Sequence, residues 1–448
     1  MKQISLHIIL LLISSAVFSQ AGHIMQGVGA VNMSMGGAAT GQPLDISGAL
    51  QWNPAAISTF DTKIVKLDVG AFTSYPILYS TAPEMDANGM PTGNSFSGKS
   101  EDVRPTSPMP ALAFVMGKED SKHTFGASVF GISGFGVTFQ ESMTNPITMP
   151  QSMSGFGRIE SDYSLMQIGI AYAYEITEKI SVGIQPTFNY ASLELMPNPT
   201  ADPSMTVGYP TTDRATTTGF GAQIGVFFDS QKGFKAGLSY KSLQNMDEFE
   251  LKNTYLDNST STNNFDMDYP SIISLGLGYS KEKFDIALDY RMVDYKNTNG
   301  FSETGWSKMG SVVGFGWENV SIISAGFQYK GINKLPLRLG YTYSSNPITE
   351  EVAFYNVPAT AIIAHAVQVG LSYEATEKLQ FDAVFHYGMS SGKTTGQLLN
   401  PQMIPMSPPY GAVPGSEVSY EMTTNMIMFG ASYTFGKKAV SEPKPVSE

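Results

Sequence analysis

The chain has 448 residues, with 39 acidic and 27 basic side chains, a net charge of -12 at pH 7 and no cysteine. The acidic balance argues against a nucleic-acid-binding protein, which would carry basic stripes, and without cysteine there are no disulfides or thiolate metal sites. Tyr and Phe are abundant, and the mean hydropathy of -0.07 is close to neutral, as in transmembrane barrels, where lipid-facing and lumen-facing residues cancel along each strand.

The first 21 residues are predicted to be a signal peptide. Lys2 precedes an apolar run over residues 4–17, which is too short to span a membrane as a mature helix. Small residues around Ser19 and Ala21 suit cleavage. No later segment has the long uncharged apolar run of a membrane helix.

The next segment, residues 22–62, is rich in glycine and centred on Asn53, Pro54 and Ala55. Its glycines allow the backbone to pass close to surrounding walls, and an Asn-Pro pair favours a turn. The segment neither alternates like a strand nor has the apolar surface to bury a core of its own. Two interpretations follow: a hatch (a small plug) held inside a barrel, or an ordinary N-terminal cap.

The rest of the chain, residues 63–436, alternates as paired strands. The first strand is predicted over residues 63–79 and is followed by a long polar loop through Pro105, and the last strand is predicted over 423–435. We count about fourteen strands, an even number as bacterial single-chain barrels require. Residues 437–448 are predicted to be a periplasmic tail.

The connections between these strands alternate in length and composition. Short charged turns, such as residues 118–122 and 374–378, alternate with long loops rich in Pro, Met and Gly. This asymmetry is typical of outer-membrane barrels, with short periplasmic turns and long extracellular loops, whereas a propeller would show a blade repeat. Strands that precede short turns end in a tyrosine that suits the membrane interface; these are Tyr174, Tyr279, Tyr329, Tyr373 and Tyr433. We therefore predict an all-β transmembrane antiparallel barrel in the bacterial outer membrane.

Charged and polar residues fall on the predicted inner faces of three strands: Asp285, Asp289, Arg291, Arg338, Asp382 and His386. They form either a polar lining that selects solutes or an ion-pair network that ties the wall to the hatch. Asp382 and His386 are also the nearest approach to a catalytic pair, but four residues on one strand separate them by roughly 13 Å. No nucleophile motif and no metal-ligand spacing of histidines is present, so we expect no enzyme activity, metal or cofactor.

Three glycines, Gly131, Gly134 and Gly136, crowd the third predicted strand. Glycine weakens a strand and commonly marks a bulge or bend. The bend either makes room for the hatch or leaves unpaired backbone that lumen partners must satisfy.

Several long loops carry more apolar residues than exposed loops usually do. The candidates for a hydrophobic capture surface are Met143, Ile147, Met149, Met153 and Met205. Methionine is flexible and polarisable and suits varied apolar partners, so these loops either bind a hydrophobic ligand or pack against one another.

Short motifs in the chain resemble the FadL-type family of outer-membrane transporters for long-chain fatty acids and other hydrophobic compounds. The run from Ser34 to Ala38 and the Asn53-Pro54-Ala55 triplet are similar to that family's N-terminal hatch, and residues 237–242 and 337–341 to its strands. The resemblance implies a fourteen-stranded barrel with an N-terminal hatch. It also implies a ligand captured by apolar outer loops, passed to an inner site beside the hatch and released laterally where the third strand kinks, at the three glycines.

One departure concerns the ligand. Residues 185–193, where fatty-acid members of the family hold the carboxylate, carry Asn189 and Ser192 but no arginine. The resemblance thus implies a fatty acid or a neutral hydrophobe such as an aromatic hydrocarbon. Other expected partners are outer-membrane lipid, lipopolysaccharide and the barrel assembly machinery, which would read Phe435. The alternatives are a diffusion porin for polar solutes and a structural or adhesive barrel.

Overall fold

The computed structural model of the protein describes residues 18–19, 23–86, 90–403 and 406–436. Fourteen antiparallel strands close into a barrel, because the first strand pairs with both the second and the last. The fourteen-stranded barrel predicted from the sequence is confirmed. The strands are β1 Lys63–Met85, β2 Ser107–Met116, β3 His123–Phe139, β4 Ile159–Thr177, β5 Ile180–Met196, β6 Ala215–Asp229, β7 Phe234–Lys241, β8 Ser271–Lys281, β9 Phe284–Asp294, β10 Val320–Tyr329, β11 Leu337–Ser344, β12 Ile363–Glu374, β13 Leu379–Ser390 and β14 Glu417–Phe435.

The wall is apolar outside and polar inside. Along β4, for example, Ile168 and Ile170 are exposed on the outer face, whereas Gln167 is buried on the lumen face. The same alternation runs through β8, where Leu275 and Leu277 face outwards. An outer face of exposed aliphatic side chains flanked by tyrosines is the surface that a lipid bilayer covers.

The two ends of the barrel differ as the sequence predicts. Turns of two to seven residues close one end, at 117–122, 178–179, 230–233, 282–283, 330–336 and 375–378. Long loops cover the other, at 86–106, 140–158, 197–214, 242–270, 295–319, 345–362 and 391–416. We refer to the ends as the turn end and the loop end.

The predicted polar loop through Pro105 is wrong. β1 continues to Met85, and a further strand, Pro91–Glu101, folds back onto it. Most of that strand is exposed on both faces, so it lacks the polar-apolar alternation that reveals a strand in sequence. The last strand also begins earlier than predicted, at Glu417.

The loops contain short elements of their own. A small sheet combines Thr211–Thr212, Phe249–Thr254 and Thr260–Phe265, and two further short strands are Asn245–Met246 and Thr394–Gly396. Single turns of 3-10 helix occur at Pro146–Thr148, Gln151–Met153, Tyr295–Asn297, Glu350–Val352, Phe354–Ala359 and Pro401–Met403.

Residues 23–62 lie inside the barrel as the hatch. They contain helix α1, Ala30–Ser34, helix α2, Ile46–Trp52, and a 3-10 turn, Pro54–Thr59, and both α-helices are buried throughout. Asp45 caps α2 by accepting from Gly48 N at 3.0 Å. Within the described residues, no helix has the length and apolar character needed to cross a membrane.

Lumen-facing glycines shape the wall to the hatch. A Cβ at Gly183 or Gly225 would overlap the backbone of Pro54 and Ala55 or the side chain of Asn53. At these two positions the hatch therefore lies closer to the wall than any residue with a side chain would allow.

The predicted boundaries at the chain ends stay predictions. Of the predicted signal peptide, only Phe18–Ser19 is described, as a two-residue strand paired with Ala364 and His365. The rest of residues 1–21 and the predicted tail lie outside the described residues.

Candidate functional site

The barrel wall is interrupted between β2 and β3. The two strands pair only from Ala111–Phe130 to Met116–Phe125. Beyond Phe130, β3 keeps its partner β4, with a register shift between Gly131 and Ser133. The predicted glycine cluster thus coincides with an irregular strand that has lost one neighbour.

The loop-end half of β3 pairs with the start of the hatch instead. Met25 N donates to Ile132 O at 3.0 Å, and Gly134 N donates to His23 O at 3.1 Å. A bridge between Ile24 and Ser133 extends this pairing. Because this half of β3 pairs with the start of the hatch, its backbone N–H and C=O groups keep hydrogen-bond partners although the ladder to β2 has ended.

A cavity of about 520 Å³ fills the space that β3 vacates. One part of its lining is apolar and comes from Met25, Phe72, Met109, Phe135 and Tyr163. The other part is charged and comes from Arg104, Glu160, Asp162 and Arg214. The cavity reaches from the hatch to the interrupted part of the wall, with Gly134 and Gly136 on its surface.

His23 marks the hatch side of this region. Its ring is buried and stacks on Phe301 with centroids 4.8 Å apart, and Tyr295 Oη lies 2.8 Å from its Nδ1. Trp317 and Tyr163 also contact the ring. Burial lowers the pKa of His23 to about 3, so the imidazole is neutral at physiological pH. The surroundings of the hatch start are therefore aromatic and uncharged.

The charged residues predicted on β9 bind the hatch directly. Asp289 accepts from Ala39 N and Thr40 N, each at 2.9 Å. Arg291 donates to Asp289 at 2.6 Å and to Gly37 O at 2.7 Å, and its guanidinium lies 3.7 Å above the Trp52 ring. This pair joins wall and hatch.

A second ion-pair cluster centres on Lys66, which the sequence analysis missed. Its Nζ lies 2.8 Å from both Asp45 of the hatch and Asp382 of β13, and 3.8 Å from Asp68. Asp68 in turn accepts from Ala30 N at the start of α1. Of this cluster, only Asp382 stood out in the sequence.

The remaining predicted lumen residues form separate contacts. Asp285 accepts from Gln328 Nε2 at 2.7 Å and Lys330 Nζ at 3.0 Å, and Arg338 donates to Gln328 Oε1 at 2.7 Å. His386 contacts Gln368 at 3.3 Å and does not pair with Asp382. In the described part of the chain, no cluster of acidic and histidine side chains could hold a metal ion.

A small apolar pocket of about 40 Å³ lies between the outer loops. Of the five predicted capture residues, only Ile147 lines it; Met143, Met153 and Met205 are exposed elsewhere, and Met149 is half-buried. The other lining residues are mostly aromatic side chains and prolines from separate loops: Phe156, Ile159, Pro197, Pro199, Tyr209, Trp306, Val312, Phe354, Tyr355, Val357 and Pro358.

Lys241 at the loop end of β7 is a buried lysine on the lumen face. It is 3 % exposed, and its Nζ donates to Gln167 Oε1 at 3.0 Å. Gln167 in turn donates to Asn189 Oδ1 at 2.8 Å. Among the described residues no carboxylate lies within salt-bridge distance of Nζ. The structure thus places a buried lysine near the strand that lacks an arginine.

The chain is similar to one protein family and to several solved structures. The profile of the family described as "Outer membrane protein transport protein (OMPP1/FadL/TodX)" matches residues 11–436. The P. putida toluene transporter TodX superposes with a TM-score of 0.66 at 16 % identity, covering 92 % of this chain and 100 % of that one. A Pseudomonas aeruginosa FadL homologue gives 0.71 at 13 % identity, covering 93 % and 100 %. The Ralstonia pickettii toluene transporter TbuX gives 0.62 at 14 % identity, covering 92 % and 99 %. The search of curated proteins gave no match.

Proposed function

The chain belongs to the outer membrane protein transport family, and on that premise we propose that it takes up hydrophobic compounds, with long-chain fatty acids as the expected ligand. The observation that carries the proposal is the cavity between the wall and the half of β3 that does not pair with β2, because it links the hatch to an interruption of the barrel. Uptake starts at the apolar pocket between the outer loops, continues to the aromatic surroundings of His23 and ends in the cavity.

Release from this cavity is lateral, into the lipid. A hydrophobic ligand that left through the turn end would meet water, at a cost of about 0.8 kcal/mol for each CH₂ group exposed. An exit between β2 and β3 leads from the cavity into the membrane without passing through bulk water. Outer-membrane lipid is then the acceptor, and the part of β3 that no longer pairs with β2, at Gly131, Gly134 and Gly136, is the place of exit.

A fatty acid also needs a partner for its carboxylate, and Lys241 is the candidate. Its Nζ is buried and donates to one amide oxygen, and a ligand carboxylate beside it would stabilise the charged form of the lysine. A neutral hydrophobe is the second candidate, favoured by the uncharged aromatic surroundings of His23; TodX and TbuX, which share the fold, are described as toluene transporters.

A diffusion porin for polar solutes is less well supported. Such a porin needs a water-filled lumen, whereas both α-helices of the hatch are buried against the wall. Enzyme activity has no support in the family or in the contacts of Asp382 and His386.

One uptake assay tests the proposal and separates the ligands. Cells that lack their own transporter and express this chain are given labelled palmitic acid or its methyl ester. We expect uptake of both above the empty-vector level, and Lys241→Met should slow the acid but not the ester. Equal effects on acid and ester would remove Lys241 from carboxylate binding. Uptake of neither compound would overturn the proposed function.

The same assay tests the exit. A Cβ at Gly134 would lie 3.0 Å from Tyr163 O, so Gly134→Val narrows the cavity and displaces the neighbouring backbone by a few tenths of an ångström. Uptake of both compounds should fall at matched surface expression. Unchanged uptake would mean that the ligand leaves by another path.

A further inference from the structure

Arg104 lies at the edge of the interrupted wall. It belongs to residues 102–106, which connect the strand Pro91–Glu101 to β2. The segment is fixed beside the loop-end tip of β3, because Val103 N donates to Thr138 O at 3.0 Å. From this side of the gap, the Arg104 side chain reaches Asp162 on β4, where its Nη2 donates to Oδ1. The ion pair therefore spans β3, which lies between the two residues.

The crossing point on β3 is Gly136. This glycine is the register partner of Asp162, and a Cβ on it would overlap Arg104 Nη1. Gly136 is not among the residues with positive φ, so its backbone conformation does not require glycine. What requires glycine is the space on its outer face, which the guanidinium occupies and where Ser161 O would lie 2.6 Å from a Cβ. Gly131 differs, since a Cβ there would meet only Met109 Cε at 3.7 Å.

Asp162 is held from a second side. Arg214, which precedes β6, donates from Nη2 to Asp162 Oδ2 at 2.7 Å and lies 2.7 Å from Glu194 Oε2. Both oxygens of Asp162 are thus engaged by arginines from separate parts of the wall. The side chains of Arg104, Asp162 and Arg214 all line the cavity. Asp162 is on the outer face of β4, in the same alternation as Ile168 and Ile170.

The ion pair between Arg104 and Asp162 is weak enough to open and close. The Arg104 side chain is 17 % exposed and that of Asp162 31 %. Ion pairs with access to solvent contribute little to stability, so separating this one costs far less than unpairing a strand. The pair can therefore open while the strands of the wall stay paired.

We propose that Arg104 is a specificity-determining residue of this transporter: its side chain forms a bar across the outward mouth of the cavity, and Gly136 is the gap in β3 through which the bar passes. The inference rests on the proposed lateral release. A slender hydrophobe passes beneath the bar, whereas a bulky one leaves only when Arg104 separates from Asp162. Arg104 thereby selects ligands by cross-section.

A double-mutant cycle tests this assignment, because Arg104→Ala removes the bar and Gly136→Ala displaces it. The probes are palmitic acid and a pyrene-substituted fatty acid of similar length. Each single variant should increase pyrene-probe uptake several-fold and leave palmitic acid near the wild-type rate. The double variant should match Arg104→Ala, since that change already removes the guanidinium that a Cβ at Gly136 would displace. Gly131→Ala is the matched control and should change neither rate.

Two outcomes would overturn the assignment: unchanged pyrene-probe uptake in Arg104→Ala, or effects of the two single variants that add in the double variant. Asp162→Asn weakens the other end of the bar and should reproduce the Arg104→Ala result if either primary variant assembles poorly. Failure of the proposed function is distinguishable, because wild-type cells would then take up neither probe above the vector level.

Discussion

At the scale of single residues, Lys66 is the most heavily charged contact between wall and hatch. One buried ammonium faces Asp45 and Asp382 at 2.8 Å and Asp68 at 3.8 Å. Removing one partner of a buried ion pair costs about 3–5 kcal/mol, because the other charge is left uncompensated. Lys66→Met leaves three carboxylates in this position and should destabilise the folded barrel by an amount in that range.

The temperature at which the detergent-solubilised barrel unfolds on a gel measures this effect. Lys99→Met is the control, because Lys99 is 58 % exposed and pairs with an exposed Glu101, and an exposed pair contributes about 1 kcal/mol or less. A Lys66→Met barrel that unfolds at the control temperature would contradict the assignment of Lys66 as the hatch anchor.

The sequence pointed to one member of this cluster for a physical reason. Asp382 stands out because strand alternation places it on an inner face, which is a local property. Lys66 and Asp382 are 316 positions apart in the chain, and only closure of the barrel brings them together. The ion pair of Arg104 and Asp162 escaped the sequence analysis in the same way.

At the scale of elements, the Asn53-Pro54-Ala55 turn seats the hatch on the wall. Asn53 Nδ2 donates to Thr40 O at 3.0 Å within the hatch and to Val226 O at 3.1 Å on β6. Its Oδ1 accepts from Ala55 N at 3.1 Å, which starts the 3-10 turn. The turn therefore links the hatch to the wall.

Deleting Asn53, Pro54 and Ala55 should change transport and leave the barrel assembled, because the fourteen wall strands pair with one another in a closed ladder. The measurements are palmitic acid uptake, surface labelling and heat-dependent gel migration of the deletion variant. Wild-type uptake by the deletion variant would show that the turn only fills space. Loss of the barrel itself would show that the wall depends on the hatch.

Elements were predictable from sequence where the signal is local. Period-two alternation and charged turns defined the strand count, and three glycines in β3 indicated a bulge. The exposed strand Pro91–Glu101 was not predictable because both of its faces are polar. The pocket between the loops was not predictable because its lining comes from separate loops, whose contacts depend on how the barrel arranges them.

At the scale of the whole molecule, the apolar outer surface of the barrel predicts contact with a membrane. A substitution at one exposed position tests this prediction. Ile170 lies in the middle of β4 on the outer face and is 66 % exposed. Arginine at the midplane of a barrel's lipid face costs about 2–4 kcal/mol. Ile170→Arg should lower the unfolding temperature of the barrel in lipid vesicles, because the charge enters the hydrocarbon.

Met205→Arg is the matched control, since Met205 is 92 % exposed but lies in an outer loop. It should leave the unfolding temperature unchanged. Equal effects of the two substitutions would mean that Ile170 faces water, and the assignment of this surface to lipid would fail.

The closing seam of the barrel has a consequence for assembly. β1 starts directly after the hatch and pairs along its length with β14, so that Lys63 lies opposite Phe435. The first strand of the wall can therefore complete its pairing only after the last has been made. The hatch packs against the wall at Gly183 and Gly225 too closely to enter a finished barrel easily, so the strands are more easily formed around it. We expect the strands of the wall to assemble around the hatch, and the lumen-facing glycines to match the shape of its surface.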